Sequence, residues 1–218
     1  MRIALAQTRP VRGDIAANLA AHHTLLDRAL ERDARLVVFP ELSITGYEPR
    51  LARELAMEVN DPRLDPLQRT SDASGATIAV GVPIRTPDKP HIALVLFEPH
   101  APRRFYAKQW LHADELPFFS PGDGSNRMLG EKPRIALAIC YELSVPDHAA
   151  ASVAAGAQVY LASAAKSATG VAQAHARLAA VAREHRMPAL LVNGVGPAED
   201  FVGAGGTVAF DARGEVVA

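Results

Sequence analysis

The sequence predicts an α/β protein built on mixed sheet, and three observations predict it. Short apolar runs alternate with longer segments of helical periodicity along the whole chain, the pattern of helices laid on a sheet. Leu36-Val-Val-Phe39 is a continuous apolar run that Pro40 stops, so it reads as a strand covered on both faces. Connections between residues 77 and 107 are short enough for hairpins, which a purely parallel sheet does not allow.

Residues 3–6 form the first strand. Gly13-Asp14 turns the chain, and Asp14 is placed to cap a helix on which Ile15, Leu19, Leu26 and Leu30 share a face. The strand at 36–39 follows, then helices over 50–57 and 62–73. Strands fall at 77–82, 92–97 and 103–107. Residues 109–133 are rich in proline, glycine and charge and read as one long functional loop region. A buried strand at 134–139 ends at Cys140. A helix begins near Pro146, with Ser144 as its expected cap and Asp147 as the acidic partner three residues on. A strand at 159–162, an alanine-rich helix over 169–186 that Pro188 ends, and strands at 189–193, 207–210 and 215–217 complete the order. The turn Asp211-Ala-Arg-Gly214 joins the last two.

The chain has 218 residues, 49% of them hydrophobic, with formal charge −1. That size suits one domain over residues 1–218 with a large core. Near-zero charge gives no electrostatic reason for nucleic acid or an anionic membrane as partner. No leader is visible, and no run reaches the roughly 18 apolar residues of a membrane span. One cysteine excludes an internal disulfide and a cysteine-rich zinc site, and the expected compartment is a reducing cytoplasm. None of the eight histidines falls in a His-Glu-x-x-His pattern, so no metal is expected. No dinucleotide fingerprint, Walker A motif or Gly-x-Ser-x-Gly elbow occurs, so no cofactor is expected and a serine hydrolase of the α/β type is disfavoured.

Three strand ends each deliver a reactive side chain: Glu41 after 36–40, Lys108 after 103–107 and Cys140 after 135–139. Ligands of open α/β sheets sit beyond such ends. Together the three make chemical sense. A thiol needs a base, a carboxylate in a dry pocket supplies one, and an ammonium stabilises an oxyanion. Taken singly, each has an ordinary reading as a buried thiol, a loop carboxylate or a surface lysine. The local sequences decide.

Phe39-Pro-Glu-Leu-Ser-Ile-Thr-Gly-Tyr47, Tyr106-Ala-Lys-Gln-Trp-Leu111 and Ile139-Cys-Tyr-Glu142 resemble, in order, the glutamate, lysine and nucleophile motifs of the nitrilase (carbon–nitrogen hydrolase) superfamily. Gly13-Asp-Ile-Ala-Ala-Asn18, Phe119-Ser-Pro-Gly-Asp123, Val192-Asn-Gly-Val-Gly196 and residues 205–215 extend the resemblance over essentially the whole chain. It implies an αββα sandwich of two mixed sheets flanked by helices, and a homodimer or higher homo-oligomer. It implies Glu41 as general base, Lys108 as oxyanion stabiliser, Cys140 as nucleophile and Glu115 as a second glutamate, with neighbouring Asp114 as the rival for that place. It also implies a thiol hydrolase of non-peptide C–N bonds working through a thioester, most simply an amidase. N-carbamoyl amine hydrolysis, nitrile hydrolysis, acyl transfer and a non-catalytic scaffold on the same fold stay open. The early segments are similar to glutaminase domains of NAD synthetases as well. Against the family the end after 215–217 reads short, lacking a strand and a tail that packs on a partner subunit.

Around the site, Tyr47, Tyr141, Phe119, Glu142 and Lys166 are the candidates for contact with a small amide, carbamoyl or nitrile substrate. For Glu142 the favoured role is shaping the turn that presents Cys140; Lys166 could bind a substrate carboxylate, but a surface lysine is its readier reading. Trp110 is expected to pack the lysine loop.

Overall fold

The computed structural model describes residues 1–218. In chain order the elements are β1 (Ile3–Leu5), α1 (Ile15–Leu30), β2 (Leu36–Val38), α2 (Ala52–Leu55), α3 (Asp65–Ser74), β3 (Thr77–Ile84), β4 (His91–Phe97), β5 (Arg104–Ala107), β6 (Met128–Leu129), β7 (Ile135–Ile139), α4 (Pro146–Ala154), β8 (Val159–Ala164), α5 (Ala168–His185), β9 (Ala189–Asn193), β10 (Val195–Pro197), β11 (Val202–Ala204) and β12 (Val208–Phe210). One sheet runs β1-β2-β3-β4-β5, parallel up to β3 and antiparallel beyond it. The other runs β12-β9-β8-β7-β6, with a parallel centre and an antiparallel strand at each edge.

Alternation along the strands builds the layers. Leu36 and Val38, Leu94 and Leu96, Ile135, Leu137 and Ile139, and Leu190 and Val192 point into a core shared by the two sheets. Val37, Val95 and Phe97 point the other way, onto the layer that holds Leu26 of α1 and Leu67 of α3. Ala136, Ala138, Tyr160 and Leu191 meet Leu178 and Val181 of α5. The result is the α-β-β-α sandwich that the family resemblance implied. Strands buried on both faces carry no polar alternation, which is why they read as continuous apolar runs. No helix is long and apolar enough to cross a membrane.

Asp14 caps α1 as expected, accepting a hydrogen bond from the Ala17 N–H at 2.9 Å. The buried face is not the expected one. Asn18, His22, Leu26 and Ala29 are buried, while Ile15 and Leu19 are only partly so. Two polar residues are tolerated inside because every group they bring is satisfied. The Asn18 amide binds Val11 and Ile44. The His22 ring lies between the Asn18 carbonyl at 2.6 Å and the Ser43 hydroxyl at 2.9 Å, stacked on Phe39. These bonds tie α1 to residues 39–45, the segment that carries Glu41.

Other departures have local causes. The helix expected over 50–57 is a tight turn at Pro49–Leu51 followed by the single turn of α2. Ser144 does not cap α4: Pro146 fixes the first helical position, so the cap place falls on Val145 and Ser144 stays in the turn Cys140–Ser144. The segment 109–133 contains the short strand β6. Hairpin β10–β11 is unanticipated, because its Gly-Pro content reads as loop. Residues 215–217 form a bridge at Val216 and backbone bonds to Ala209, but no strand.

Burial holds the His22 pKa down at about 4 against 6.5 in an unfolded chain. Between those values the unfolded chain takes up a proton that the fold refuses, so stability is lost as pH falls through this window. The loss from this one residue is about 3 kcal/mol at most. In His22→Gln, denaturant midpoints measured from pH 7 down to about 4 will fall less steeply than in the parent protein.

Candidate active site

Glu41 follows β2 in a tight turn. Leu42 has φ +51°, and the Ser43 N–H closes the turn onto the Pro40 carbonyl at 3.1 Å. The turn lies directly on β3 at Gly81, where a Cβ would sit 2.3 Å from both Leu42 N and Pro40 O. Only glycine allows that approach. Across the sandwich, the Ser163 hydroxyl of β8 donates to the Phe39 carbonyl at 2.9 Å and ties the end of β2 to the opposite sheet.

Lys108 follows β5 and is wholly buried. Its Nζ lies 2.9 Å from Glu41 Oε1 and 2.6 Å from Glu115 Oε1. Glu115 is buried as well. Its Oε1 also accepts the Tyr47 hydroxyl at 3.0 Å and its Oε2 the His112 N–H at 2.7 Å. The rival Asp114 is exposed and pairs with His112 at 3.3 Å. Glu41 Oε2 accepts the Ala165 N–H at 3.1 Å. Cys140 ends β7 at φ +48°, a backbone region that few residues other than glycine adopt. The structure thus brings the side chains of Glu41, Lys108 and Glu115 into direct contact. Cys140 is half-buried, and the charges of Glu41, Lys108 and Glu115 all bear on its thiol.

Of the expected substrate contacts, Tyr47 lines a narrow cleft beside Glu41, together with Pro40, Ala165, Phe201 and the glycines of the β10–β11 hairpin. Phe119 packs instead in the core between the sheets. Tyr141 is 37% exposed and meets His112 edge-on. Glu142 is fully buried, and the Tyr106 hydroxyl and the Gln109 and Ile139 N–H groups occupy its oxygens. That satisfaction leaves it no place at the substrate and puts it in the turn. Lys166 is half-buried next to Ala165. A larger apolar groove of about 500 Å³, lined by Met1, Ile3, Leu5 and Ala218 among others, opens at the other sheet edges and holds none of these charged groups.

The family model for carbon-nitrogen hydrolases matches residues 2–218. The chain belongs to the carbon–nitrogen hydrolase family. An (R)-stereoselective amidase of Pseudomonas sp. is 28% identical over all of this chain and 80% of its own length. The glutamine-dependent NAD(+) synthetase of Thermotoga maritima is 27% identical, with 39% of its length covered. The amidase of Nesterenkonia sp. AN1 superposes with a TM-score of 0.89 at 26% identity, covering 99% of this chain and 87% of its own. Solved forms of that amidase, each with a glutamate replaced, carry on the active-site cysteine either the acetamide moiety of fluoroacetamide or a Michael adduct of acrylamide.

Electrostatics of the hydrolase follow from burial. Desolvation raises the Glu41 pKa against the pull of Lys108. Burial also opposes the Lys108 charge, but Glu41, Cys140 and Glu115 outweigh it and hold the ammonium protonated. The Cys140 thiol is pushed up to about 11, by burial first and then by the Glu41 charge. Cys140 therefore rests as a neutral thiol, and any attack by its sulfur would require a base to take the proton.

Sequence reasoning missed Ser163, Ala165 and Asn193. Asn193 Oδ1 accepts the Lys166 N–H at 2.8 Å and its amide donates to the Lys166 carbonyl at 3.1 Å, fixing the loop that presents Ala165 to Glu41. The available signal was Val192-Asn-Gly, a polar residue at the end of a buried run.

The single cysteine makes the thiol directly measurable. Ultraviolet titration of the folded hydrolase will show no thiolate at neutral pH and its appearance only near pH 11. A thiolate already present at pH 8 is the contrary result.

Proposed function

We propose that the hydrolase is an amidase of small amides, with Cys140 as nucleophile, Glu41 as general base, and Lys108 and the Tyr141 N–H as donors to the oxyanion. The observation that carries this reading is Lys108, wholly buried between Glu41 at 2.9 Å and Glu115 at 2.6 Å. A buried ammonium fixed by two carboxylates cannot swing away, so it serves as a preorganised positive charge. Support for amides in particular comes from the relatives: the Nesterenkonia amidase has been solved with butyramide bound.

In the proposed reaction Glu41 takes the thiol proton as Sγ attacks the amide carbon. The carbonyl π pair moves onto oxygen, facing Lys108. Collapse expels the nitrogen, to which Glu41 returns the proton, and ammonia leaves. Water then attacks the thioester while Glu41 takes its proton, and the acid is released as that proton returns to sulfur. Glu115 holds Lys108 in place. The raised Glu41 pKa makes the carboxylate a stronger base, which suits a thiol that is neutral at rest.

Lys166 extends the reading to substrate choice. Its backbone is pinned on both sides by Asn193, and its stem runs along Gly170 at the start of α5. Its ammonium joins none of the ion pairs of the chain. Its charge nevertheless reaches Cys140. An unpaired cation at that range favours an amide that carries a carboxylate.

A panel of small amides, N-carbamoyl compounds and nitriles, assayed for release of ammonia, tests the reading. Amides will be hydrolysed, Cys140→Ala will fall to background, and Glu41→Gln will lose about 10²–10⁴-fold in kcat. Turnover by Cys140→Ala, or turnover of nitriles alone, overturns it. Within the amides, Lys166→Ala will raise KM about tenfold for monoamides of dicarboxylic acids and leave KM for uncharged amides unchanged. Equal effects on both classes remove Lys166 from recognition.

A further inference from the structure

Lys108 and Cys140 hang from different sheets. Lys108 follows β5 of the first sheet and Cys140 follows β7 of the second. The layer between the sheets is apolar, and apolar contact is non-directional. Such packing sets the separation of the sheets but leaves their sliding poorly fixed. A reaction that needs an ammonium and a thiol in register requires a directional link between the two segments.

Glu142 makes that link. Its Oε1 accepts the N–H of Gln109, the residue after Lys108, at 2.6 Å. Its Oε2 accepts the N–H of Ile139, the residue before Cys140, at 2.7 Å. The Tyr106 hydroxyl, two residues before Lys108, lies 2.8 and 2.7 Å from the two oxygens. One buried carboxylate thus holds both catalytic segments by their backbones.

Behind it stands a chain of buried groups; burial raises the Glu142 pKa to about 7, and with Glu142 ionised the protons of the chain have one consistent arrangement. A carboxylate only accepts, so Tyr106 donates its single hydrogen to Glu142. His148 Nε2, 3.1 Å away, must then donate to the Tyr106 oxygen. Neutral imidazole leaves Nδ1 bare to accept from the Tyr160 hydroxyl at 2.8 Å. Burial keeps His148 neutral, with its pKa held down at about 4. The bonds run in one direction, from Tyr160 on β8 through His148 on α4 and Tyr106 on β5 to Glu142, and bonds so aligned polarise and strengthen one another.

We propose that Glu142, backed by Tyr106, His148 and Tyr160, is a positioning residue that sets the placement of Lys108 and Glu41 relative to Cys140. The proposal rests on the amidase reading, and its test is chosen to separate the two. Acrylamide reports the geometry without any amide hydrolysis. Sγ bonds to the terminal alkene carbon, and the thiol proton passes by way of Glu41 to the neighbouring carbon.

Glu142→Gln keeps the shape but turns an NH₂ toward one of the two backbone donors, releasing one segment. At unchanged cooperative unfolding, kcat for an amide will fall at least about tenfold with KM within about threefold, and Cys140 will be alkylated by acrylamide at least about tenfold more slowly. Glu142→Asp, one methylene too short to reach both amides, will not rescue either rate. Tyr106→Phe leaves the carboxylate on both amides and will lose less than Glu142→Gln. If Glu142→Gln does not fold, Tyr106→Phe alone decides, with a kcat loss of about threefold or more at constant KM expected. Folded Glu142→Gln with parental kcat and alkylation rate, or Tyr106→Phe with parental rates when it alone decides, overturns the proposal. If the parent hydrolyses no amide, the functional reading fails and the alkylation ratios still decide this one.

Discussion

The contact between one ammonium and two carboxylates, Lys108 with Glu41 and Glu115, is the constraint on which the rest of the site depends. All three groups are buried. Removing such charges from water costs several kcal/mol for each ion, and only close, fully satisfied geometry offsets it. The surroundings supply that satisfaction: Ala165 N–H for Glu41, and His112 N–H and the Tyr47 hydroxyl for Glu115. Two negative groups facing one positive group leave a surplus of negative charge. That surplus, added to desolvation, keeps Glu41 a stronger base than an ordinary carboxylate and Cys140 a thiol.

Holding this cluster is the business of the whole sandwich, because its members come from both sheets. Glu41 and Lys108 leave the first sheet, while Cys140 and the Ala165 loop leave the second. The polar bonds that cross between the sheets lie close to these residues, as with Ser163 to Phe39 and Glu142 to Tyr106. Where backbones must touch, side chains are absent, as at Gly81 under the Glu41 turn. Apolar layering thus provides the bulk of the burial, and a few directional bonds at one end of the strands fix the register that chemistry requires.

Several features were legible in the sequence because they depend on neighbours along the chain. The apolar run 36–39, the Asp14 cap and the turn at 211–214 all stand where local pattern puts them. Others were not legible, each for a physical reason. Local pattern ranked Ile15 and Leu19 above Asn18 and His22 on α1, since no one-dimensional pattern shows that a buried amide and imidazole find partners at Val11, Ile44 and Ser43. Asp114 and Glu115 are adjacent carboxylates, and only the path of the loop turns one into the site and the other into water.

The sequence by itself determined which strand ends carry a carboxylate, an ammonium and a thiol, and the continuous apolar runs that let both faces of each sheet be buried. Those are properties of short stretches, set by residue type and period. The tertiary structure alone decided that Phe119 belongs to the core and that Glu142 joins two segments instead of facing the cleft. These outcomes rest on hydrogen bonds between residues such as Glu142 and Tyr106, distant in sequence and on different sheets, and such bonds exist only once the sheets have packed.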